Sequence, residues 1–292
     1  MNRWWIYQKE RFPLFAHGLL IAAFSSSAVC FSGLLRGQLE LPSIASLLVA
    51  FVTCFIFFLQ LRIADEFKDF EEDSRYRSYR PVPRGLITLR SLGVVFVIGA
   101  VIQASLAIWL EPGLLVVLVI AWTYLALMSV EFFARDWLVA RPITYLWTHM
   151  LIMPLVDFYA TACDWMVADG NPGSGLGWFL AASFFNGCVI EIGRKIRRPG
   201  DEEEGVRTYS VLWGKRRASF IWLALLAITG GFSILAAIQI GFALPVALTL
   251  GGLFLLAAVL AILNKGHKFE TLSGLWTIAM YLVLGLIPVL VK

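Results

Sequence analysis

Charge is scarce in this chain. Only 15% of its 292 residues are Asp, Glu, Lys or Arg, against about 25% in soluble domains. Cysteine is scarcer: Cys30, Cys54, Cys163 and Cys188 each stand alone in apolar sequence, which excludes a disulfide framework and a cysteine-based zinc site. No Gly-rich nucleotide loop, HExxH helix or nucleophile elbow occurs, and no internal repeat is legible. The chain is instead apolar, with 59% hydrophobic residues and a mean hydropathy of +0.78. No soluble fold of this size could hide that much apolar surface. The aromatic content of 14% excludes disorder.

A helix crossing a bilayer needs ~20 mostly apolar residues. Nine runs meet that requirement, at about 12–34, 42–64, 92–110, 113–133, 142–163, 175–193, 218–240, 243–263 and 271–291. Each is continuous and rich in Ala, Leu and Ile, which predicts a helix bundle and not a barrel of alternating strands. The first run is too long for a signal peptide and lacks a cleavage site. The fold expected is an all-α integral membrane protein of nine transmembrane helices, a single domain over 1–292. Basic residues set its orientation. Of 24 Lys and Arg residues, all but Arg36 and Lys292 fall on the side of the N-terminus. This predicts a cytoplasmic N-terminus, an outer C-terminus and a multi-pass protein of the cytoplasmic (inner) membrane. The basic residues are divided among loops facing lipid headgroups, so nucleic acid is not implied.

Two cytoplasmic loops, about 65–90 and 191–217, carry dense charge of both signs. In the first, Asp65, Asp69 and Asp73 recur every four residues, which on a helix places three carboxylates on one face. Mg²⁺ takes carboxylate and phosphate oxygens together. Arg80 and Arg84 follow in a Pro-bounded turn, and guanidinium suits bidentate phosphate contacts. Acids for a metal beside arginines for phosphate make a candidate diphosphate site. Glu71, Glu72, Arg75 and Arg77 read as solvated charge.

The stretch Asp65-x3-Asp69-x3-Asp73 followed by Arg80-Pro-Val-Pro-Arg-Gly85-Leu-Ile-Thr88 resembles the first signature of the UbiA family of intramembrane prenyltransferases, with Asp65 at a position commonly Asn. Gly200-Asp201, Gly205, Thr208 and Gly214 resemble the tail of that family's second signature, and Glu191 fits its upstream acid. The resemblance implies Mg²⁺ held by Asp65, Asp69, Asp73, Glu191 and Asp201, with Asp65, Asp69 and Asp201 catalytic. It implies diphosphate contacts from Arg80, Arg84 and Lys195, and a prenyl or acceptor pocket touched by Tyr124. Asn186, one and a half turns before Glu191, and His149 are further pocket candidates that read equally well as interhelical hydrogen bonds. The substrates implied are a prenyl diphosphate and an aromatic or other lipophilic acceptor, met within the lipid bilayer. Two departures stand out. Lys195, Arg197 and Arg198 occupy the stretch where further aspartates are expected, and Met128 stands where a Lys often follows Tyr124 by four residues.

His149 and Asp157 are eight residues apart in one apolar run. Intramembrane ionisable groups are functional candidates, although Asp157 also reads as an outer-end residue with Asp164 and Asp169. His17 and Gln60 read equally well as interhelical hydrogen bonds. Two alternatives to prenyl transfer keep the bundle: a terpene cyclase that quenches the cation internally, and a transporter or lipid-binding protein. Acids gathered at one face and not at the midplane weigh against transport.

Overall fold

The computed structural model describes residues 2–168, 170–203, 205–206, 208–262 and 269–291. Lys265, Lys268 and Lys292, used above for orientation, lie outside those residues, as do Asp169, Glu204 and Arg207. The described residues contain no β-strand. Fifteen α-helices follow in order: α1 (Arg3–Arg11), α2 (Leu14–Leu35), α3 (Ile44–Lys68), α4 (Phe70–Tyr76), α5 (Leu89–Leu110), α6 (Leu114–Ser129), α7 (Arg135–Val139), α8 (Pro142–Met150), α9 (Ile152–Ala168), α10 (Leu176–Arg194), α11 (Tyr209–Trp213), α12 (Lys215–Gln239), α13 (Ala243–Ile262), α14 (Phe269–Leu284) and α15 (Leu286–Val291).

Among the described residues, seven apolar stretches are long enough to cross a membrane: α2, α3, α5, α8 with α9, α10, α12 and α13. α6 and α14 are shorter apolar helices of 16 residues each. They fall within the fourth and ninth runs, and each gives way at its C-terminal end to a separate short element. Local chemistry explains several boundaries. Ser43 caps α3 through the Ser46 amide at 3.0 Å, Thr88 caps α5 through the Ser91 amide at 3.2 Å, and Pro142 opens α8.

The burial pattern is that of a bundle in lipid. Trp222, Tyr281, Phe31, Phe57 and Phe179 fill the interior, together with Ser25, Ser27, Ser32, Thr161 and Ser233. The exposed faces of α5 and α13 are apolar, with Val97, Trp109, Leu244 and Leu248 outward. Lipid solvates such faces, so the interior is set by shape and by hydrogen bonds between helices. α2 is central, packing on α3, α9, α14 and α15. Its small residues permit close approach: a Cβ at Gly285, between α14 and α15, would overlap the Ser27 main chain. α10 packs along α12 and α14.

Several intramembrane polar side chains are tied to a partner. Gln60 donates to the Phe96 carbonyl at 3.2 Å. The His17 ring lies 3.1 Å from the Pro13 carbonyl and stacks on Phe12. Asp157 is fully buried and accepts from the Tyr281 hydroxyl at 2.7 Å. Arg36 grips Asp164 through both carboxylate oxygens at 2.9 Å, tying α9 to the end of α2. Removing one member of a buried pair strands the other charge, whereas replacing both with apolar residues does not. Asp164→Ala is therefore expected to cost about 3–5 kcal/mol. Arg36→Met with Asp164→Leu should recover most of the loss in thermal unfolding of detergent-solubilised protein.

Candidate active site

The two charged loops meet at one end of the bundle. Tyr79, just after α4, donates to Glu203 at 3.2 Å, and Arg197 pairs with the same carboxylate at 3.0 Å. Gly205 has φ +76°, and a Cβ there would run into the Tyr76 ring. Gly thus serves both the left-handed backbone and the close approach. Glu202 accepts from Thr208 and Ser210, both at 2.7 Å, while Thr208 caps α11. The glycines and threonine of the second signature therefore shape a loop that lies against the first.

In the first loop, α3 ends at Lys68 and α4 begins at Phe70, with Asp69 at the junction. Asp65, half-buried, lies 3.6 Å from both Arg62 and Lys68. Asp69 makes no ion pair within 4 Å among the described residues. Burial pushes its carboxyl above the ordinary range; Lys68 opposes this, and Asp65 and Asp73 reinforce it. Asp73 is buried, with one oxygen on Arg77 at 2.6 Å and the other on Arg80 at 2.5 Å. Burial disfavours the Arg80 charge, but the hydrogen bond to Asp73 and the negative charge of that carboxylate, with smaller help from Tyr79 and Glu66, together outweigh it and raise that guanidinium above its ordinary value. Arg84 pairs with Glu10 at 2.9 Å and donates to the Tyr79 carbonyl at 2.8 Å. Glu66, buried beside this motif, is held by Arg11 at 2.5 Å. α1 is thereby bound across the first signature by two ion pairs.

In the second loop, Glu191 on α10 is held by Arg194 at 2.6 Å and Lys195 at 2.7 Å. Arg194 is in electrostatic reach of Asp65, which brings the ends of α3 and α10 together. Asp201 closes a short 3-10 turn and is exposed. Tyr124 donates to the Thr148 carbonyl at 2.5 Å and meets Phe132 edge-on. Asn186 is fully buried and accepts from Thr277 at 3.1 Å, its amide nitrogen having no hydrogen-bond partner.

His149 belongs to a cluster that the sequence left unseen. Its Nδ1 lies 2.8 Å from the Tyr145 carbonyl, and its ring stacks on the Tyr145 ring with centroids 3.9 Å apart. A carbonyl only accepts, so Nδ1 carries a proton. Tyr145 donates to Glu131 at 2.9 Å. His149 Nε2 is 3.3 Å from the second Glu131 oxygen, without the alignment of a hydrogen bond. Lys68 joins the cluster from α3, 3.5 Å from Glu131. The available signal was Glu131 itself, an ionisable residue ending an apolar run. Nothing in Glu-Phe-Phe announces its backbone.

Among the described residues, no three His, Cys, Asp or Glu side chains gather as a ligand set for one metal ion. The donor chemistry divides the predicted ligands. Asp65 and Asp69 are neighbouring carboxylates with long or no ion pairs, which suits a hard cation shared with phosphate oxygens. Asp73 and Glu191 already face two cations each.

A multi-pass helical membrane protein with carboxylates and cations gathered at one end is the class that these features define. The sequence model of the UbiA prenyltransferase family matches residues 12–288, and the chain belongs to that family. Two solved structures share the fold. A UbiA homolog from Aeropyrum pernix K1, in its apo form, is 17% identical with a TM-score of 0.59, over 89% of this chain and 94% of that one. A structure described for digeranylgeranylglyceryl phosphate synthase in membranes is 18% identical with a TM-score of 0.61, over 99% and 98%. A comparison with curated proteins finds no match.

Replacing Gly205 tests the contact between the loops. Gly205→Val strains a left-handed backbone and collides with Tyr76. Limited trypsin digestion is expected to cut the 197–217 segment at least several-fold faster, with the transmembrane core resisting as before.

Proposed function

We propose that the chain transfers an isoprenyl group from a prenyl diphosphate to an aromatic or other lipophilic acceptor inside the membrane, with Mg²⁺. The observation that carries this reading is the pair Asp65 and Asp69 beside Lys68 and Arg62, at one end of an apolar bundle of a prenyltransferase family. The proposal includes nine membrane crossings, a cytoplasmic N-terminus and the cytoplasmic membrane as its site.

In this reading Asp65 and Asp69 hold the metal ion. The bound Mg²⁺ supplies positive charge to the departing diphosphate. The guanidinium of Arg194 supplies fixed positive charge from the end of α10, and so does the ammonium of Lys195, which lies in the stretch where the family pattern has further aspartates. Charges held in place before reaction need no reorganisation as the leaving group develops charge. The apolar interior excludes water, which protects an allylic cation from hydrolysis, and aromatic faces stabilise it. Asp73 shapes the site indirectly, by fixing Arg77 and Arg80. Asp201 is kept as a ligand contributed by the second loop when substrate is bound.

The test is diphosphate release by purified full-length protein with a panel of prenyl diphosphates, with and without Mg²⁺. Metal-dependent release is expected, and Asp65→Ala and Asp69→Ala should each lower it by about 10²-fold. Unchanged rates in both variants would overturn the reading. A prenylated acceptor identifies transfer, whereas a terpene formed with no acceptor added identifies cyclisation.

A further inference from the structure

Several cations at this end of the bundle are committed to a close partner. Arg77 and Arg80 hold Asp73 at 2.6 and 2.5 Å, Arg84 holds Glu10 at 2.9 Å, and Arg11 holds Glu66 at 2.5 Å. Arg194 and Lys195 hold Glu191 at 2.6 and 2.7 Å. Lys68 is different. It is largely buried, yet its ammonium stands 3.2 Å from the Tyr145 hydroxyl, 3.5 Å from Glu131 and 3.6 Å from Asp65. An ammonium with three donors, held at such distances, is centred among its neighbours and not closed on one of them. Arg62 is also loosely held, 3.6 Å from Asp65, but it has no second ion pair within 4 Å among the described residues. Only Lys68 keeps a carboxylate partner after Asp65 turns to another ligand.

That partner is held by unusual means. Glu131, Phe132 and Phe133 have φ of 51°, 51° and 58°, three consecutive side-chain-bearing residues in the left-handed region. Such a run persists only where its surroundings over-determine it. Here Phe132 wedges edge-on between Tyr124 and His149, with centroids 5.5 and 6.0 Å away. The turn buries the Glu131 carboxylate, which also takes the Tyr145 hydroxyl at 2.9 Å. One turn earlier on the same strand of chain, Met128 is buried and apolar, so the end of α6 supplies an acid that draws a cation from α3.

We propose that Lys68 is a further cation that meets the substrate diphosphate, and that Glu131 is the residue that positions it. The inference rests on the prenyl diphosphate reading above. Lys68 binds the anion, Asp65 is released to the metal ion, and Glu131 with Tyr145 keeps the ammonium beside Asp69.

The test titrates inorganic pyrophosphate with Mg²⁺ into the full-length protein in detergent, alongside steady-state kinetics with a prenyl diphosphate. Losing a charged contact made equally in ground and transition states raises KM and leaves kcat nearly unchanged. Glu131→Gln, which retains an acceptor for Tyr145, and Lys68→Met should each weaken pyrophosphate binding and raise KM about tenfold. The double variant should be no worse than either single one, because both remove the same contact. A purely structural role for Glu131 would instead lower the melting temperature and kcat with pyrophosphate affinity intact. Should Glu131→Gln fail to fold, Lys68→Met reads the ligand contact, and Glu131→Asp reads the positioning through its retained charge. Pyrophosphate bound as tightly by both variants as by the unaltered chain overturns this proposal alone. No binding and no turnover by the unaltered chain overturns it together with the reading beneath it.

Discussion

A carboxylate at the rim of an apolar bundle is costly unless a cation stands against it, and this requirement organises the charged end of the molecule. Asp73 takes Arg77 and Arg80, Glu66 takes Arg11, Glu191 takes Arg194 and Lys195, and Glu131 takes Lys68. Each pairing fixes more than a charge. Arg11 to Glu66 fastens α1 to α3, and Lys68 to Glu131 fastens α3 to the chain after α6. The transmembrane helices are apolar on their outer faces and gain little from burial against one another in lipid. Ion pairs and small-residue contacts therefore carry much of the specificity that a water-driven core would supply elsewhere.

The same requirement separates acids that are satisfied from acids that remain available. Asp73 and Glu191 are saturated by the chain's own guanidinium and ammonium groups. Asp65 is held loosely, and Asp69 is crowded by other carboxylates. A site that handles a polyanion with a metal ion needs both kinds: fixed cations whose positions are set beforehand, and carboxylates that can accept a new ligand. In the second loop this chain places cations where its family pattern has acids, and both Arg194 and Lys195 pair with Glu191. Positive charge there is built into the protein.

Chain geometry does comparable work where charge does not. Gly205 lets the second loop seat against Tyr76, and Gly285 lets the end of α14 reach the Ser27 backbone. The left-handed run at Glu131–Phe133 ends α6 with the Glu131 carboxylate buried. Strain of this kind is tolerated because Tyr124, His149 and Tyr145 pack around it.

The sequence by itself determined the apolar, all-helical class, the two charged loops and the membership of the family, because composition, hydropathy runs and the spacing of Asp65, Asp69 and Asp73 are properties of the chain's order. It also matched Gly205 and Thr208 to the tail of the family's second signature. The tertiary structure decided which acid meets which cation. The distance from Lys68 to Glu131 joins positions far apart in the chain, and no periodicity encodes it. Likewise Asp73 and Asp69 look equivalent in a four-residue repeat, yet Asp73 turns toward Arg77 and Arg80 while Asp69 stands at a helix junction with no ion pair among the described residues. The repeat sets which face of a helix the acids occupy; the packing of α1, α6, α8 and α10 around that face sets what each one meets.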